Sequence, residues 1–369
     1  MEQPIFYPIG TPVEDLDTPV AVVDLDIMEQ NIKTLHSFFA NTTAKVRPHI
    51  KVHRCPAIAH QQLQAEGNTG GICTAKIGEA EVFAQSGFSD ILIANQIVTK
   101  QKLQRLASLA KTNTITVNAD NLKNVQDLSD AAQEADSIIN VLVEINTRLN
   151  RCGVEPGQPA VNLAKAIAKA PSLNFAGVTT YEGAIKHENY EDLVTETHKY
   201  IRQVLDSKEA IEKAGIPVDT VSVGGTHNYE IAGAIEGVTE IQAASYVLME
   251  WNYVPFRPMF KPAFKVMATI TSRPAPNAAT ADCGHKTLGP DKGLPMTDTL
   301  PGLTITRVSA EHTKITWDEN EPDKLNVGDK VWVTPHTLEI CVNLFDYMFA
   351  IRKGKLEAIW EISARGRYD

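Results

Sequence analysis

The sequence predicts an α/β protein: a (β/α)8 TIM-type barrel joined to a second, C-terminal β-rich domain. Three observations carry that prediction. Short, nearly charge-free apolar runs alternate with longer amphipathic ones from the N-terminus to about residue 250. Beyond that point Pro255, Pro258, Pro262, Pro274 and Pro276 break the chain, the helical period does not return, and alternating strand patterns take over. The 369 residues also suffice for a barrel of roughly 240 residues and a second domain of roughly 110.

Taken in order, the first strand is Pro19-Val20-Ala21-Val22-Val23-Asp24, whose β-branched, uncharged centre reads as buried. Asp26 stands where it can cap the next helix, whose Ile32, Leu35 and Phe39 recur at three- and four-residue spacing. Barrel strands are then expected at 44–49, 70–75, 91–96, 114–119, 139–145, 175–181, 220–225 and 240–245. Helical patterns separate them near 56–65, 78–86, 100–110, 121–133, 158–170, 190–213 and 228–236. Eight strands after the first match a closed barrel; a doubly wound open sheet would seldom run to eight units. The β-rich domain opens with Phe264-Lys265-Val266-Met267-Ala268-Thr269-Ile270 and continues through Leu303-Thr304-Ile305-Thr306. Val331-Trp332-Val333 follows a Gly328-Asp329 turn. The boundaries are therefore 25–262 for the barrel and 263–369 for the β-rich domain, which the N-terminal strand 1–24 joins.

Composition removes several function classes. Lys+Arg is 35 against Asp+Glu 45, a net charge of -10, and no basic stripe suggests a nucleic-acid partner. The apolar runs are shorter than the ~20 residues of a membrane span. Residues 1–17 hold four acidic side chains and no apolar signal-peptide core, so a cytoplasmic enzyme is expected. The cysteines Cys55, Cys73, Cys152, Cys283 and Cys341 are not at Cys-x-x-Cys spacing and predict neither a zinc knuckle nor a disulfide framework. Cys55 and Cys152 each follow a basic residue, which favours a thiolate, but packed small side chains are the plainer reading.

Barrel chemistry gathers at the C-terminal ends of the strands. The first barrel strand ends in Arg47-Pro48-His49-Ile50-Lys51-Val52-His53-Arg54, which crowds Lys51 with positive neighbours. Such crowding disfavours the ammonium form, and a free amine is what Schiff-base chemistry needs. The seventh strand ends in Ser222-Val223-Gly224-Gly225-Thr226-His227-Asn228-Tyr229. Two glycines and small hydroxylated residues before a helix make a backbone N–H cradle for a phosphate, in the region where barrels commonly hold one. A lysine at one strand end and a phosphate cradle at another suit pyridoxal 5'-phosphate.

The motifs then become specific. Asp17-Thr18-Pro19, Val23-Asp24-Leu25-Asp26 and the lysine segment come first, followed by Gly78-Glu79-Ala80-Glu81 and the run from Asp90 to Val98. Val143-Glu144-Ile145, Arg151-Cys152-Gly153-Val154, Gly224-Gly225-Thr226 and Thr239-Glu240-Ile241 with Ser245-Tyr246 come next. Asp282-Cys283-Gly284-His285-Lys286, Glu311-His312 and Val342-Asn343-Leu344-Phe345-Asp346 complete the series. In this order they resemble the fold-type III pyridoxal-phosphate enzymes with an alanine racemase-like fold, in the group of D-threonine aldolase, 3-hydroxy-D-aspartate aldolase and D-serine dehydratase.

The resemblance covers nearly the whole chain and implies roles. Lys51 would be the cofactor lysine and a proton carrier at the substrate α-carbon. Ser222, Gly224, Gly225 and Thr226 would hold the phosphate, with Tyr246 near that end. Arg151 would face the cofactor ring, and Tyr181 would lie close to it. His49, His53 and His312 are candidates to take the substrate hydroxyl proton.

Relatives of this kind carry His-x-Cys or His-x-Asp before Thr-Val-Asn-Leu, as ligands to a divalent cation. Here the stretch is Pro335-His336-Thr337-Leu338-Glu339-Ile340-Cys341-Val342-Asn343. Counted back from Asn343, Thr337 takes the histidine position and Glu339 the second. A one-residue insertion restores His336 and Glu339 as a pair for Mg2+, Mn2+ or Zn2+, and the sequence leaves both registers open. The implied activity is retro-aldol cleavage of a D-3-hydroxy amino acid such as D-threonine or 3-hydroxy-D-aspartate to glycine and an aldehyde. D-Serine or D-3-hydroxyaspartate dehydration is the alternative, followed by amino acid racemisation. A homodimer is implied as well.

Overall fold

The computed structural model describes residues 6–183, 185, 189–321 and 324–369. It divides into two units. One comprises Leu35–Lys51, Ile58–Ala244 and Gly366–Asp369; the other comprises the chain up to Thr34, Val52–Ala57 and Ser245–Arg365. Strand β1 (Val20–Asp24) and helix α1 (Leu25–Phe39) precede the barrel strands.

The first unit is the barrel. Its strands are β2 (Lys45–Val46), β3 (Ile72–Thr74), β4 (Asp90–Ile93), β5 (Thr114–Ala119), β6 (Ile139–Glu144), β7 (Leu173–Thr179), β8 (Thr220–Val223) and β9 (Glu240–Ile241). Helices α2 (Pro56–Gln64), α3 (Ile77–Gln85), α4 (Lys100–Leu109), α5 (Leu122–Ala135), α6 (Gln158–Lys169), α7 (Tyr190–Lys213) and α8 (Tyr229–Ala232) alternate with them. The strands pair in the order β2-β9-β8-β7-β6-β5-β4-β3, and the parallel bridges Val46↔Asn68 and His49↔Cys73 bring the two ends together.

A parallel sheet covered on both faces wants apolar, β-branched strands, and Ile91, Ile93, Val117, Val141, Val143, Val221 and Val223 are all fully buried. The helices each bury one stripe; α6 does so with Ala160, Val161, Leu163, Ala164 and Ile167. The N-cap of α5 is Asn121, whose side chain accepts the Asn124 N–H. Among the described residues no helix is long and apolar enough to cross a membrane.

The second unit is a nine-stranded sheet. It contains β1 with β10 (Phe264–Ala275), β11 (Ala278–Ala281), β12 (Met296–Thr297), β13 (Thr304–Val308), β14 (Thr313–Thr316), β15 (Lys330–Thr334), β16 (Tyr347–Arg352) and β17 (Lys355–Glu361). The order is β13-β14-β11-β10-β1-β16-β17, with β15 on β10 and β12 on β15. β1 lies antiparallel to β10 and parallel to β16, so the first strand of the chain does enter the C-terminal sheet. Residues 1–5 of the expected N-terminal segment lie outside the described residues. Leu16, Val20, Val22, Met267 and Ile351 form a core cluster, with Trp332 and Phe349 packed on it.

The β-rich domain also contains two short helices that the pattern does not predict, α9 (His285–Leu288) and α10 (Leu338–Asn343). Leu338, Cys341 and Val342 of α10 are buried at helical spacing, but six residues are too few for a period to separate helix from strand. The Leu338 N–H at its start donates to the buried Glu250 carboxylate at 3.0 Å. This satisfies an N-terminal amide that no residue within the helix can reach.

Candidate active site

The lysine is delivered by a strand that outruns its regular pairing. Past β2 the chain stays extended, with Arg47 N–H donating to Ile241 O and His49 N–H to Ala243 O, both at 2.9 Å. It then turns through Ile50–Val52, and Lys51 sits between two fully buried anchors, Ile50 and Val52. The Lys51 N–H donates to His49 Nδ1 at 3.4 Å. Lys51 Nζ lies 5.7 Å from the centroid of the Tyr181 ring, within cation–π range.

The two arginines expected to crowd this lysine have partners of different kinds. Arg47 turns to two carboxylates, Glu240 at 2.9 Å and Asp90 at 3.1 Å. Arg54 donates to Asn343 Oδ1 at 2.7 Å and to Glu339 O at 3.2 Å. The Arg47 charge is thus offset by two carboxylates, whereas Arg54 meets neutral oxygens.

Arg151 reaches the same tyrosine by a different route. After β6 the chain folds back on its own strand end: Val154 N–H donates to Glu144 O at 2.9 Å and Asn146 N–H to Val154 O at 2.8 Å. Gly153 makes the return possible at φ +104, because a Cβ there would lie 2.6 Å from Asn146 N. The Arg151 guanidinium carbon ends 5.3 Å from the Tyr181 ring centroid. Its NH2 is 4.0 Å from Glu144 Oε1. Glu144 is buried and accepts from Gln96 Nε2 at 2.7 Å and Asn118 Nδ2 at 3.0 Å. Cys152 beside this arginine is no activated thiol: burial, followed by Glu144, pushes its pKa up.

Tyr181 follows β7, whose end is tied to both neighbours. Thr179 Oγ1 donates to Ser222 O and Thr180 Oγ1 to Ile145 O, each at 2.8 Å. Beneath these ends Gln242 Nε2 donates to Ser222 Oγ at 2.7 Å, so the Ser222 hydroxyl is engaged inside the barrel.

At the end of β8, Gly224 takes φ +69, and a Cβ there would meet Ala232, Asn228 and Ile241 at 3.2 Å. The glycine amides are committed inward. Gly224 N–H donates to Glu182 Oε2 at 3.4 Å, and Gly225 N–H to Asn228 Oδ1 at 3.0 Å. Asn228 Nδ2 in turn donates to Glu182 Oε1 at 2.6 Å. Thr226 is buried at the turn. Sequence reasoning gave no role to Glu182, Asn228, Glu144 or Gln242. An acid directly after Tyr181 was visible, but nothing in the sequence showed that it would be fully buried.

The remaining predicted residues belong to the other unit. His53 is fully buried, its Nδ1 accepting the Cys55 N–H at 3.1 Å. Tyr246 is also fully buried, its ring 6.2 Å from that of Phe260. His312 is exposed on the turn between β13 and β14, where its carbonyl accepts the Ser309 N–H at 2.8 Å. His336 is half-buried, and its ring lies against Gly293, where a Cβ would approach it to 2.7 Å. Glu339 is in the first turn of α10, and Thr337, its N-cap, donates to Asp291 Oδ1 at 3.4 Å. Among the described residues no group of three or more His, Cys, Asp or Glu side chains is arranged to hold a metal ion.

Comparison with known proteins matches two family models in succession along the chain. The model for "Alanine racemase, N-terminal domain" matches residues 23–243, and that for "Putative serine dehydratase domain" matches residues 263–351. The chain is similar to a 3-hydroxy-D-aspartate aldolase of Paracoccus denitrificans (strain Pd 1222), 32% identical over 97% of this chain and 94% of that protein. It is likewise similar to a D-threonine aldolase of Arthrobacter sp, 34% identical over 97% of this chain and 95% of the other. The solved structure of D-threonine aldolase from Filomicrobium marinum superposes with a TM-score of 0.92 at 33% identity, covering 98% of this chain and 100% of that one.

Proposed function

The chain belongs to the fold-type III pyridoxal-phosphate enzymes, in the group of the D-threonine and 3-hydroxy-D-aspartate aldolases. On that premise we propose that it is a lyase cleaving D-3-hydroxy amino acids to glycine and an aldehyde. The observation that carries the reading is the convergence of Lys51 and Arg151 on the Tyr181 ring, 5.7 and 5.3 Å from its centroid. The residues present fit the cofactor: an amine and a guanidinium meet at one aromatic ring, and the end of β8 turns at a glycine where a Cβ would crowd three neighbours.

When bound, pyridoxal phosphate supplies the electron sink that takes up the pair released from the substrate Cα–Cβ bond. The chain supplies the rest. Lys51 Nζ is the amine that would hold the cofactor and carry a proton to and from the substrate α-carbon. Arg151 would be the cation toward the cofactor ring, where a guanidinium beside a pyridine nitrogen would disfavour its protonation by like-charge repulsion. We assign the β-hydroxyl proton to His49, the imidazole that contacts the lysine's own amide. The loop from Gly224 to Thr226 would take the phosphate, with the Ser222 hydroxyl below it accepting from Gln242.

Dehydration is the second reading, favoured by the match of residues 263–351 to a serine dehydratase domain. Cleavage ranks first because hydroxide is a poor leaving group without a cation, and, counted back from Asn343 without a gap, Thr337 stands where the resemblance implies a ligand histidine. His336 and Glu339 are the side chains that would hold a cation in the shifted register. Incubation with D-threonine and with 3-hydroxy-D-aspartate, with and without added Mg2+, Mn2+ or Zn2+, tests the proposal. Glycine with an equimolar aldehyde is the expected outcome. Keto acid and ammonia without glycine would overturn it, and solvent deuterium entering Cα with inversion and no cleavage would point to racemisation. We further read the protein as a cytoplasmic homodimer, which light scattering and cell fractionation check.

A further inference from the structure

Glu182 is the least expected group in the barrel unit. It is fully buried on the segment after β7, and no role in bond cleavage requires it. Its carboxylate instead gathers the phosphate loop from below. Oε1 accepts Asn228 Nδ2 at 2.6 Å, and Oε2 faces the Gly224 N–H at 3.4 Å. Asn228 passes the restraint on: its Oδ1 accepts the Gly225 N–H at 3.0 Å, while Nδ2 also reaches Thr197 Oγ1 of α7 at 3.4 Å. Asn228 is the N-cap of the four-residue helix α8 as well. The first two amides of the turn are thus fixed by protein acceptors, and the direction in which Thr226 emerges follows from them.

Resting on the cofactor reading above, we propose that Glu182 is a positioning residue for the cofactor phosphate, acting through Asn228 to hold the Gly224-Gly225-Thr226 turn in its binding shape. A loop whose shape is set before the ligand arrives loses less freedom on binding, and the gain appears as affinity. The effect is confined to the phosphate end, because Lys51 stands on a different strand end with its own anchors in Ile50 and Val52. Burial pushes the Glu182 pKa up, with Asn228 and Gly224 acting against it. A carboxyl leaning toward its neutral form can brace an anion site without strongly repelling the anion.

The test compares pyridoxal phosphate with pyridoxal, which lacks the phosphate. Cofactor-free wild type, Glu182→Gln, Glu182→Ala, Asn228→Ala and the double alanine variant are titrated with each, following tryptophan fluorescence. Inorganic phosphate serves as a competitor. Loss of the relay should weaken pyridoxal phosphate about tenfold to a hundredfold, with Glu182→Gln at the mild end. Pyridoxal binding should stay within about twofold, and the double variant should be no worse than the worse single one, because both act on one relay. Equal weakening of both ligands would reduce Glu182 to a structural residue, and unchanged affinities would remove it altogether. Either result overturns the proposal. If the wild type itself failed to prefer pyridoxal phosphate over pyridoxal, the fault would lie in the cofactor reading of the loop, and the proposal would fall with it.

Discussion

Arg47→Ala is expected to destabilise the barrel unit by about 3–5 kcal/mol, the cost of leaving a buried charge without its partner. The structure shows which partner matters. Arg47 Nε is 2.9 Å from Glu240 Oε2 and its NH1 is 3.1 Å from Asp90 Oδ1. The side chains of Arg47, Glu240 and Asp90 are 13%, 6% and 32% exposed. Without Arg47 the Glu240 carboxylate is stranded on β9, where its residue pairs with Lys45 of β2 and Ser222 of β8. Asp90 keeps access to water, so Asp90→Asn should cost less than about 1 kcal/mol.

Thermal melts followed by far-UV circular dichroism on the cofactor-saturated enzyme read the difference. At about 2–4 °C per kcal/mol for a unit of this size, Arg47→Ala should lower the midpoint by about 6–20 °C. An Arg47→Met, Glu240→Gln double variant should recover much of the loss, because it removes the stranded charge as well as its partner. A loss under about 1 kcal/mol for Arg47→Ala, or an equal loss for Asp90→Asn, would refute the assignment of Glu240 as the dependent charge.

The other expectations concern the lysine and the phosphate loop. Lys51→Ala should abolish the visible absorbance of the bound cofactor together with product formation; a band that persisted would place the covalent bond on another amine. Gly224→Ala must adopt φ +69, which costs about 1–2 kcal/mol for a residue with a Cβ. It must also press on Asn228 Oδ1, so pyridoxal phosphate affinity should fall about tenfold, and an unchanged dissociation constant would contradict the tight fit. Glu182 has a pKa raised by burial, with the Arg148 guanidinium on its backbone carbonyl and His227 Nε2 3.8 Å from Oε1. A carboxyl of this kind contributes stability that is complete below its unfolded pKa and is lost as pH rises through its folded one. Wild type should therefore lose thermal stability relative to Glu182→Gln as pH rises above the ordinary carboxylate range; a constant or opposite difference would show that the carboxylate is not held toward its neutral form.

What the sequence made legible depends on how local the information is. β5 and α7 fall at 114–119 and 190–213, the ranges the patterns predict, because the periodic burial of their own side chains defines them. β9 is regular only at Glu240–Ile241, although an apolar run to 245 predicts more. The length of a parallel strand depends on its neighbours, and β2 beside it is equally short. Lys51 and the Gly-Gly-Thr turn were visible because a reactive amine and a glycine turn announce themselves by residue type. The charges around them were not, since pairing is decided across the barrel: the partner of Arg47 is 193 positions away in Glu240. Glu182 makes the same point from the other side. Its acidity was in plain view beside Tyr181, yet only the closure of β7 against β8 places it beneath Gly224 and away from water. Motifs in such a barrel therefore point to candidate reacting groups by residue type, whereas the partners of those groups are set by strand register.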